Sequence, residues 1–271
     1  MIRAESKTAT INGAELEYYD IGSGLPIFFI HGGMGKECAL VLREPVLAGF
    51  RLIHFQRRGY GRSSCPEMPV SIEQQSRDCQ ALLDLLNVPD AHVVGQSYGG
   101  AIALQLTADA SALVRSLTVL EPALPSILFS SADFAALGES AGELYRGGKR
   151  SASMEQFGKA VIGERDWNAF ASEWLDSWVD DASTIFESDM PALGNWQFGA
   201  AEASKISQPV LNLRGANSPE VFRSVWQVVA DWIPHAENVV VPDTSHCIFQ
   251  VNPGDAARLI AEHVTRQSKD H

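Results

Sequence analysis

The pattern Gly-x-Ser-x-Gly, which can hold a serine on a sharp turn, occurs twice in the chain, around Ser97 and around Ser140. Ser97 follows the apolar run 92–94 and precedes the helix-like run 101–106, whereas no strand-like run precedes Ser140. A turn between strand and helix exposes the serine hydroxyl, and its glycines leave room where the two elements approach. This context predicts that Ser97 is a nucleophile and that Ser140 is an ordinary turn serine.

A serine hydroxyl is a weak nucleophile near neutral pH, so a base must accept its proton. The imidazole of histidine has a suitable pKa. Of the seven histidines, His246 follows the apolar run 238–241 through a short loop and precedes a helix expected to begin near Pro253. Catalytic residues of open α/β sheets collect in loops beyond the carboxyl ends of strands. We therefore predict that His246 is the general base.

Attack of a serine on a carbonyl creates an oxyanion, which needs fixed N–H donors. One donor is expected from the residue after the nucleophile, Tyr98. The second is expected from the glycine-rich loop after the apolar run 26–30, where Gly33 is the first choice and Met34 the alternative. His31 is expected to hold this loop in shape.

Short apolar runs alternate with amphipathic stretches along most of the chain. The strand-like runs span residues 15–21, 26–30, 51–55, 91–95, 115–120, 209–213 and 238–241. Helical spacing of apolar residues occurs between them, as in 72–86 and 219–232. This alternation predicts an α/β fold with a mostly parallel sheet.

Residues 123–204 interrupt the alternation with helical segments only. The aromatic residues Trp167, Phe170, Trp174 and Trp178 recur at helical spacing, which predicts one face of a single helix. Packing of this face onto the core is favoured, and an aromatic wall for a substrate remains open, with Trp174 and Trp178 as candidates. We therefore expect a helical cap at 123–204 inserted into a core formed by 1–122 and 205–271.

Four features resemble the capped α/β-hydrolase superfamily: a strand followed by His31-Gly32-Gly33, the segment 56–63, the turn 95–100 and the late Ser245-His246 pair. The resemblance implies an eight-stranded sheet flanked by helices and a pocket between sheet and cap. It also implies a cofactor-free mechanism through an acyl-enzyme.

The serine hydrolases of this superfamily use a catalytic triad of nucleophile, acid and base. The chain departs from the superfamily at the acid. The superfamily usually places an acid three residues after a glycine that follows the penultimate strand, whereas the segment 215–218 contains Asn217 and no carboxylate. Glu121 is the predicted acid, because it ends the apolar run 118–120 and preserves the order nucleophile, acid, base. Some dehalogenases and lactonases of the superfamily place their acid after this strand. Asp243 and Glu220 remain alternatives.

A serine in the turn differs from the aspartate with which haloalkane dehalogenases and epoxide hydrolases attack. We therefore expect acyl transfer to water. An ester or lactone is the favoured substrate because the placement of Glu121 resembles that in some lactonases, and the acidic charge favours a small, mainly apolar molecule. Carbon–carbon hydrolases often carry tryptophan after the catalytic histidine, where this chain has Cys247. A carbon–carbon hydrolase, a cofactor-free oxygenase and a small-molecule receptor with weak hydrolysis remain alternatives on the same fold.

The composition limits the kinds of partner that the chain is expected to bind. The formal charge of −12 would repel phosphate backbones and anionic lipid, so neither nucleic acid nor a membrane is an expected partner. The sequence shows no apolar run of about 18 residues and no signal-peptide pattern, which leads us to expect a cytoplasmic protein. Its four cysteines form no Cys-x-x-Cys pair and are expected to be free thiols. Neither a metal nor a cofactor is expected.

Overall fold

The computed structural model describes residues 5–170 and 172–268. Residues 1–4 and 269–271, at the ends of the expected core, and Ala171, in the expected cap, lie outside the described residues. One eight-stranded sheet forms the centre, with strands β1 (Lys7–Ile11), β2 (Ala14–Ile21), β3 (Pro26–Ile30), β4 (Arg51–Phe55), β5 (Ala91–Gln96), β6 (Val114–Leu120), β7 (Val210–Gly215) and β8 (Glu237–Val241). Their order is β1-β2-β4-β3-β5-β6-β7-β8, and strands β3 to β8 are parallel to one another. The prediction of a mostly parallel sheet is confirmed.

Strands β2 to β8 lie at the predicted apolar runs, with ends that differ by at most two residues. Strand β1 was not predicted, because it pairs only with β2 at the sheet edge and most of its residues are at least partly exposed. The available signal was Asn12-Gly13, whose φ angles of 46° and 80° suit the tight turn of a hairpin.

Helices cover both faces of the sheet and fill the segment between β6 and β7. They are α1 (Ile72–Leu85), α2 (Tyr98–Asp109), α3 (Pro125–Leu128), α4 (Ala132–Arg146), α5 (Arg150–Ile162), α6 (Glu164–Ala169), α7 (Ser172–Asp180), α8 (Ala182–Thr184), α9 (Met190–Asn195), α10 (Ala200–Ala203), α11 (Glu220–Trp232), α12 (Ile248–Val251) and α13 (Pro253–Gln267). A π-helical segment, Ile185–Asp189, joins α8 to α9. None of the helices in the described residues combines the length and apolar character needed to cross a bilayer.

Alternate residues of the central strands supply two apolar cores, as the period of a strand requires. Phe28 and Ile30 point to the core that contains α1, α2 and the cap helices. Ile27 and Phe29 point to the opposite core, which α13 covers. Because both faces are buried, the central strands read as continuous apolar runs.

The described residues between β6 and β7 form helices and no strand. The expectation of a single aromatic helix is wrong, because α6 ends at Ala169 and α7 begins at Ser172. Phe170 ends the first helix with an extended backbone at φ −68° and ψ 141°. Trp167 packs so closely on Gly158 that a Cβ there would lie 1.9 Å from its ring. Trp167 of α6 therefore packs on α5, and its ring centroid also lies 5.8 Å from that of Trp178 of α7.

Candidate active site

Ser97 lies between β5 and α2 with φ 54° and ψ −121°, a backbone conformation that is strained for any residue except glycine. The turn needs its glycines, because a Cβ on Gly99 would lie 2.1 Å from the carbonyl oxygen of Ile30. A Cβ on Gly95 would lie 2.4 Å from the carbonyl oxygen of Gly99. Ser140, by contrast, lies in the interior of α4. The strand–turn–helix context therefore occurs at Ser97 and not at Ser140.

His246 and Glu121 form a buried pair at the carboxyl ends of the strands. Nδ1 of His246 lies 2.6 Å from Oε2 of Glu121, and both side chains are almost fully excluded from solvent. Glu121 follows β6 with a positive φ of 45°. A carboxylate at this distance favours the tautomer with its proton on Nδ1, which leaves Nε2 free to accept a proton.

The loop after β7, which contains no acid, supplies hydrogen-bond donors to Glu121. Oε1 of Glu121 accepts hydrogen bonds from the backbone N–H of Gly215, at 2.8 Å, and from the hydroxyl of Ser218. The backbone N–H of Asn217 donates to Thr244. Both oxygens of the Glu121 carboxylate are thus held while one of them faces the imidazole.

The two alternative acids lie elsewhere in the structure. Glu220 is exposed at the start of α11 and pairs with Arg223. Asp243 has a positive φ of 52° in the loop after β8, and its side chain makes no hydrogen bond with the described residues. Of the three candidate acids, the structure brings Glu121 to His246.

Phe222, near the start of α11, stacks on the His246 ring with a centroid distance of 3.8 Å and an interplanar angle of 25°. Its ring also meets Phe134 of α4 edge-on at 6.0 Å. The aromatic face fixes the ring of His246 from the side and excludes water from it. Sequence reasoning missed Phe222, because its helical spacing is that of any core residue in this helix.

The predicted oxyanion donors line the same cavity as Ser97 and His246. Tyr98 is the first residue of α2, so the helix itself offers its amide no acceptor. No hydrogen bond within residues 5–170 and 172–268 uses the amides of Gly33 or Met34. A Cβ on Gly33 would meet no atom within 4 Å, so open space lies beside this backbone.

Two acidic side chains hold the loop that contains Gly33. Oε2 of Glu37 accepts the amide of Gly32 at 2.6 Å, and Oδ2 of Asp181, between α7 and α8, accepts the amide of Gly35 at 2.9 Å. The loop is therefore anchored on both sides of Gly33 and Met34, whose amides stay available.

His31 and Arg57 hold the loop that contains Gly33 through hydrogen bonds. Nε2 of His31 accepts the backbone N–H of Arg57 at 3.0 Å, and the Arg57 guanidinium donates to the carbonyl of Gly32 at 2.7 Å. Arg57 also pairs with Asp189 of the π-helical segment at 2.7 Å, and both side chains are buried. An ion pair thus links the cap to the loop. Arg57 belongs to the segment 56–63, yet its type alone did not reveal this partner.

The cavity lies between the sheet and the helices that follow β6, and most of its wall is apolar. Its apolar residues include Leu128, Phe134, Phe157, Val161, Trp178 and Leu193. Trp178 lines this cavity, whereas Trp174 lines a separate surface pocket together with Phe170.

Cys247 also lines the cavity, next to His246 in the chain. Burial, with the nearby charges of Glu37 and Glu121, raises the pKa of its thiol well above the usual range. A protonated thiol is a poor nucleophile, so Ser97 remains the candidate.

Residues 26–253 match the family model described as the alpha/beta hydrolase fold, and the chain belongs to this family. It is 28% identical over 260 residues to a Mycobacterium tuberculosis protein named "Putative non-heme bromoperoxidase BpoC", covering 88% of this chain and 93% of that protein. It is 38% identical over 106 residues to the "Putative carbamate hydrolase RutD" of Azorhizobium caulinodans, covering 38% of this chain and 40% of that protein.

Among solved structures, the chain is similar to Est816, an N-acyl homoserine lactone degrading enzyme. The TM-score is 0.76 at 24% identity, covering 94% of this chain and 99% of that one. At this identity the likeness shows the shared fold.

Proposed function

We propose that the chain is a serine hydrolase that cleaves a carboxylic ester or lactone of a small, mainly apolar molecule. The observation that carries the proposal is the 2.6 Å contact between His246 Nδ1 and Glu121 Oε2, at a cavity that Ser97 also lines. Nε2 of His246 has no hydrogen-bond partner among the described residues. A buried imidazole with one nitrogen held by a carboxylate and the other free is suited to act as a general base.

The reaction begins when Oγ of Ser97 attacks the carbonyl carbon and its proton passes to Nε2 of His246. Glu121 stabilises the imidazolium that forms, and the amides of Gly33 and Tyr98 donate hydrogen bonds to the oxyanion. His246 then returns the proton to the leaving alcohol oxygen, which departs as the acyl-enzyme forms. Water then attacks this acyl group while His246 takes its proton, and His246 returns that proton to Oγ of Ser97 as the carboxylic acid leaves.

The substrate class follows from the wall of the cavity. Cap side chains, including Phe157, Val161 and Trp178, face the nucleophile across an apolar space. Apolar parts of a substrate gain free energy there by leaving water, at about 25 cal/mol per Å² buried. We place the cap at residues 123–204 and assign it the role of selecting the substrate by size and polarity.

The proposal is tested by treating the protein with a fluorophosphonate probe and locating the label by peptide mass spectrometry. Label is expected on Ser97 and should disappear in Ser97→Ala. Ser140→Ala is the matched control, because Ser140 has the same local pattern within a helix, and this variant should label as the wild type does. A folded protein that takes no label, or takes it at Ser140, would refute the proposal. The first outcome would favour a receptor.

A further inference from the structure

The wall of the cavity contains buried polar atoms that the proposed reaction does not use. Besides His246 Nε2, three atoms of cavity-lining residues have no hydrogen-bond partner in the described part of the chain: Glu37 Oε1, Gln250 Oε1 and Trp178 Nε1. An unpaired buried polar atom costs free energy, so native proteins rarely keep one without a role. Glu37 is 3% exposed and follows the loop that holds the oxyanion donors.

The carboxyl of Glu37 lies beside the nucleophile. A Cβ on Gly32 would lie 2.7 Å from Oε2 of Glu37 and 3.0 Å from Cβ of Ser97, so the two side chains flank the same glycine. A carbonyl group that Ser97 attacks is therefore close to Glu37.

Burial raises the pKa of Glu37 to about 8, against the lowering effects of the Gly32 amide, the Arg57 charge and the nearby side-chain amide of Gln96. Arg57 is itself paired with Asp189. The other groups around the carboxyl are neutral: the side chain of Gln96 and the thiols of Cys38 and Cys247, whose pKa values burial raises well above the usual range. Near neutral pH, Glu37 is therefore a carboxylic acid.

The position of its proton follows from the hydrogen bonds. Oε2 accepts the amide of Gly32 at 2.6 Å, which suits the carbonyl oxygen of a carboxylic acid. The hydroxyl is then Oε1, which is unpaired and belongs to a residue that lines the cavity.

We propose that Glu37 determines specificity by donating a hydrogen bond from Oε1 to an acceptor oxygen that the substrate carries near its scissile carbonyl. This inference rests on the proposed hydrolase function and narrows its substrate class. The class is small esters or lactones with an ether, hydroxyl or keto oxygen close to that carbonyl. A plain alkyl ester leaves the buried hydroxyl unpaired, whereas an oxygenated one satisfies it.

The test compares butyl butyrate with two analogues in which one CH₂ is replaced by oxygen: butyl methoxyacetate in the acyl part and 2-methoxyethyl butyrate in the alcohol part. Values of kcat/KM are measured by pH-stat titration and divided by the rate of hydroxide-catalysed hydrolysis, which removes intrinsic reactivity. The wild type should prefer at least one analogue by roughly tenfold, since one neutral hydrogen bond contributes about this factor.

Two variants of Glu37 separate donation from loop anchoring. Glu37→Gln keeps an acceptor for Gly32 and a donor toward the cavity, so it should retain the preference. Glu37→Leu removes the donor and should lose the preference. Glu44→Leu is the matched control, since Glu44 follows in the same segment and does not line the cavity; it should behave as the wild type does.

A pH series gives a test that does not depend on the folding of Glu37→Leu. The wild-type preference should fall between pH 7 and pH 9 as Glu37 ionises, whereas that of Glu37→Gln should stay constant. The inference is overturned if the wild type prefers neither oxygenated ester over butyl butyrate. It is also overturned if Glu37→Leu retains the preference.

Binding of the same three esters to Ser97→Ala, measured by ligand-detected NMR, separates this inference from the proposed function. A tenfold difference in Kd that depends on Glu37 supports the specificity role even where the wild type hydrolyses none of the esters. Equal Kd values for all three esters would overturn the specificity role even where hydrolysis is fast.

Discussion

Replacement of Glu121 by glutamine tests how much the carboxylate contributes to the proposed reaction. Oε1 of Glu121 accepts hydrogen bonds from Gly215 and Ser218, so the glutamine carbonyl oxygen would take these two donors. The amide NH₂ would then face Nδ1 of His246, now 2.6 Å from Oε2. A donor in that place favours the tautomer with its proton on Nε2, which cannot accept the proton of Ser97.

The expected loss is about 10⁴-fold in kcat, as for removal of the corresponding charge from a serine-protease triad. This factor corresponds to about 5 kcal/mol of transition-state stabilisation. KM should change little, because Glu121 lies behind His246 and does not line the cavity.

The assay is steady-state hydrolysis of p-nitrophenyl butyrate, with circular dichroism and thermal unfolding to show that the variants fold. Asn217→Ala is the control, because the backbone of Asn217 donates to Thr244 while its side chain makes no hydrogen bond to His246. It should stay within about threefold of the wild type, in keeping with the small effects of substitutions outside a network. Glu121 is not the acid of the triad if Glu121→Gln keeps more than a tenth of the wild-type kcat. The same conclusion follows if Asn217→Ala loses more activity than Glu121→Gln does.

Three further predictions concern stability. Asp189→Ala should lower the free energy of unfolding by about 3–5 kcal/mol, because it leaves Arg57 charged and buried. Urea unfolding should show a smaller loss of stability for the double variant Arg57→Met/Asp189→Leu, which removes both charges. Equal losses in the single and the double variant would contradict a dominant charge effect. Gly99→Ala should cost at least about 3 kcal/mol, since its Cβ would meet the Ile30 carbonyl oxygen at 2.1 Å, and near-normal thermal unfolding would show that the turn can adapt. The raised pKa of Glu37 means that the folded state binds its proton more tightly than the unfolded state, so stability should fall as pH rises from the ordinary value of 4.5 to about 8. The free energy of unfolding from urea titrations should be about 4 kcal/mol lower at pH 9 than at pH 5 in the wild type and not in Glu37→Gln, because the carboxyl of the unfolded chain is already largely ionised at pH 5. An equal loss in Glu37→Gln would assign the effect to other groups.

Much of the sheet and part of the candidate site could be predicted from the sequence, because their requirements are local. Buried parallel strands need mostly apolar residues, and apolar runs marked all six parallel strands, β3 to β8, as well as the antiparallel strand β2. The turn at Ser97 needs glycine at positions 95 and 99, because a Cβ there would collide with the backbone of Gly99 or of Ile30. Both glycines are visible in the sequence. The edge strand β1 lacks these requirements, and only Asn12-Gly13 marked its turn.

Glu121 could be selected because the later loop has no acid, but the contact itself joins residues 125 positions apart. The ion pair of Arg57 with Asp189 spans 132 positions, and neither residue differs in type from a solvated surface charge. Phe222 and Trp178 have the apolar character of any core residue, so their type did not reveal that Phe222 stacks on His246 or that Trp178 lines the cavity.

Local constraints in the sequence were enough to predict the strands, the glycines of the turn at Ser97, and the serine and histidine that follow strands. The contacts between side chains around the cavity are visible only in the folded structure. The tertiary structure placed Phe222 against His246, joined Arg57 to Asp189, and buried Glu37 with one oxygen unpaired. The reason is physical: steric limits act between neighbours in the chain and restrict residue type, whereas pairing, stacking and desolvation depend on distances that folding alone creates.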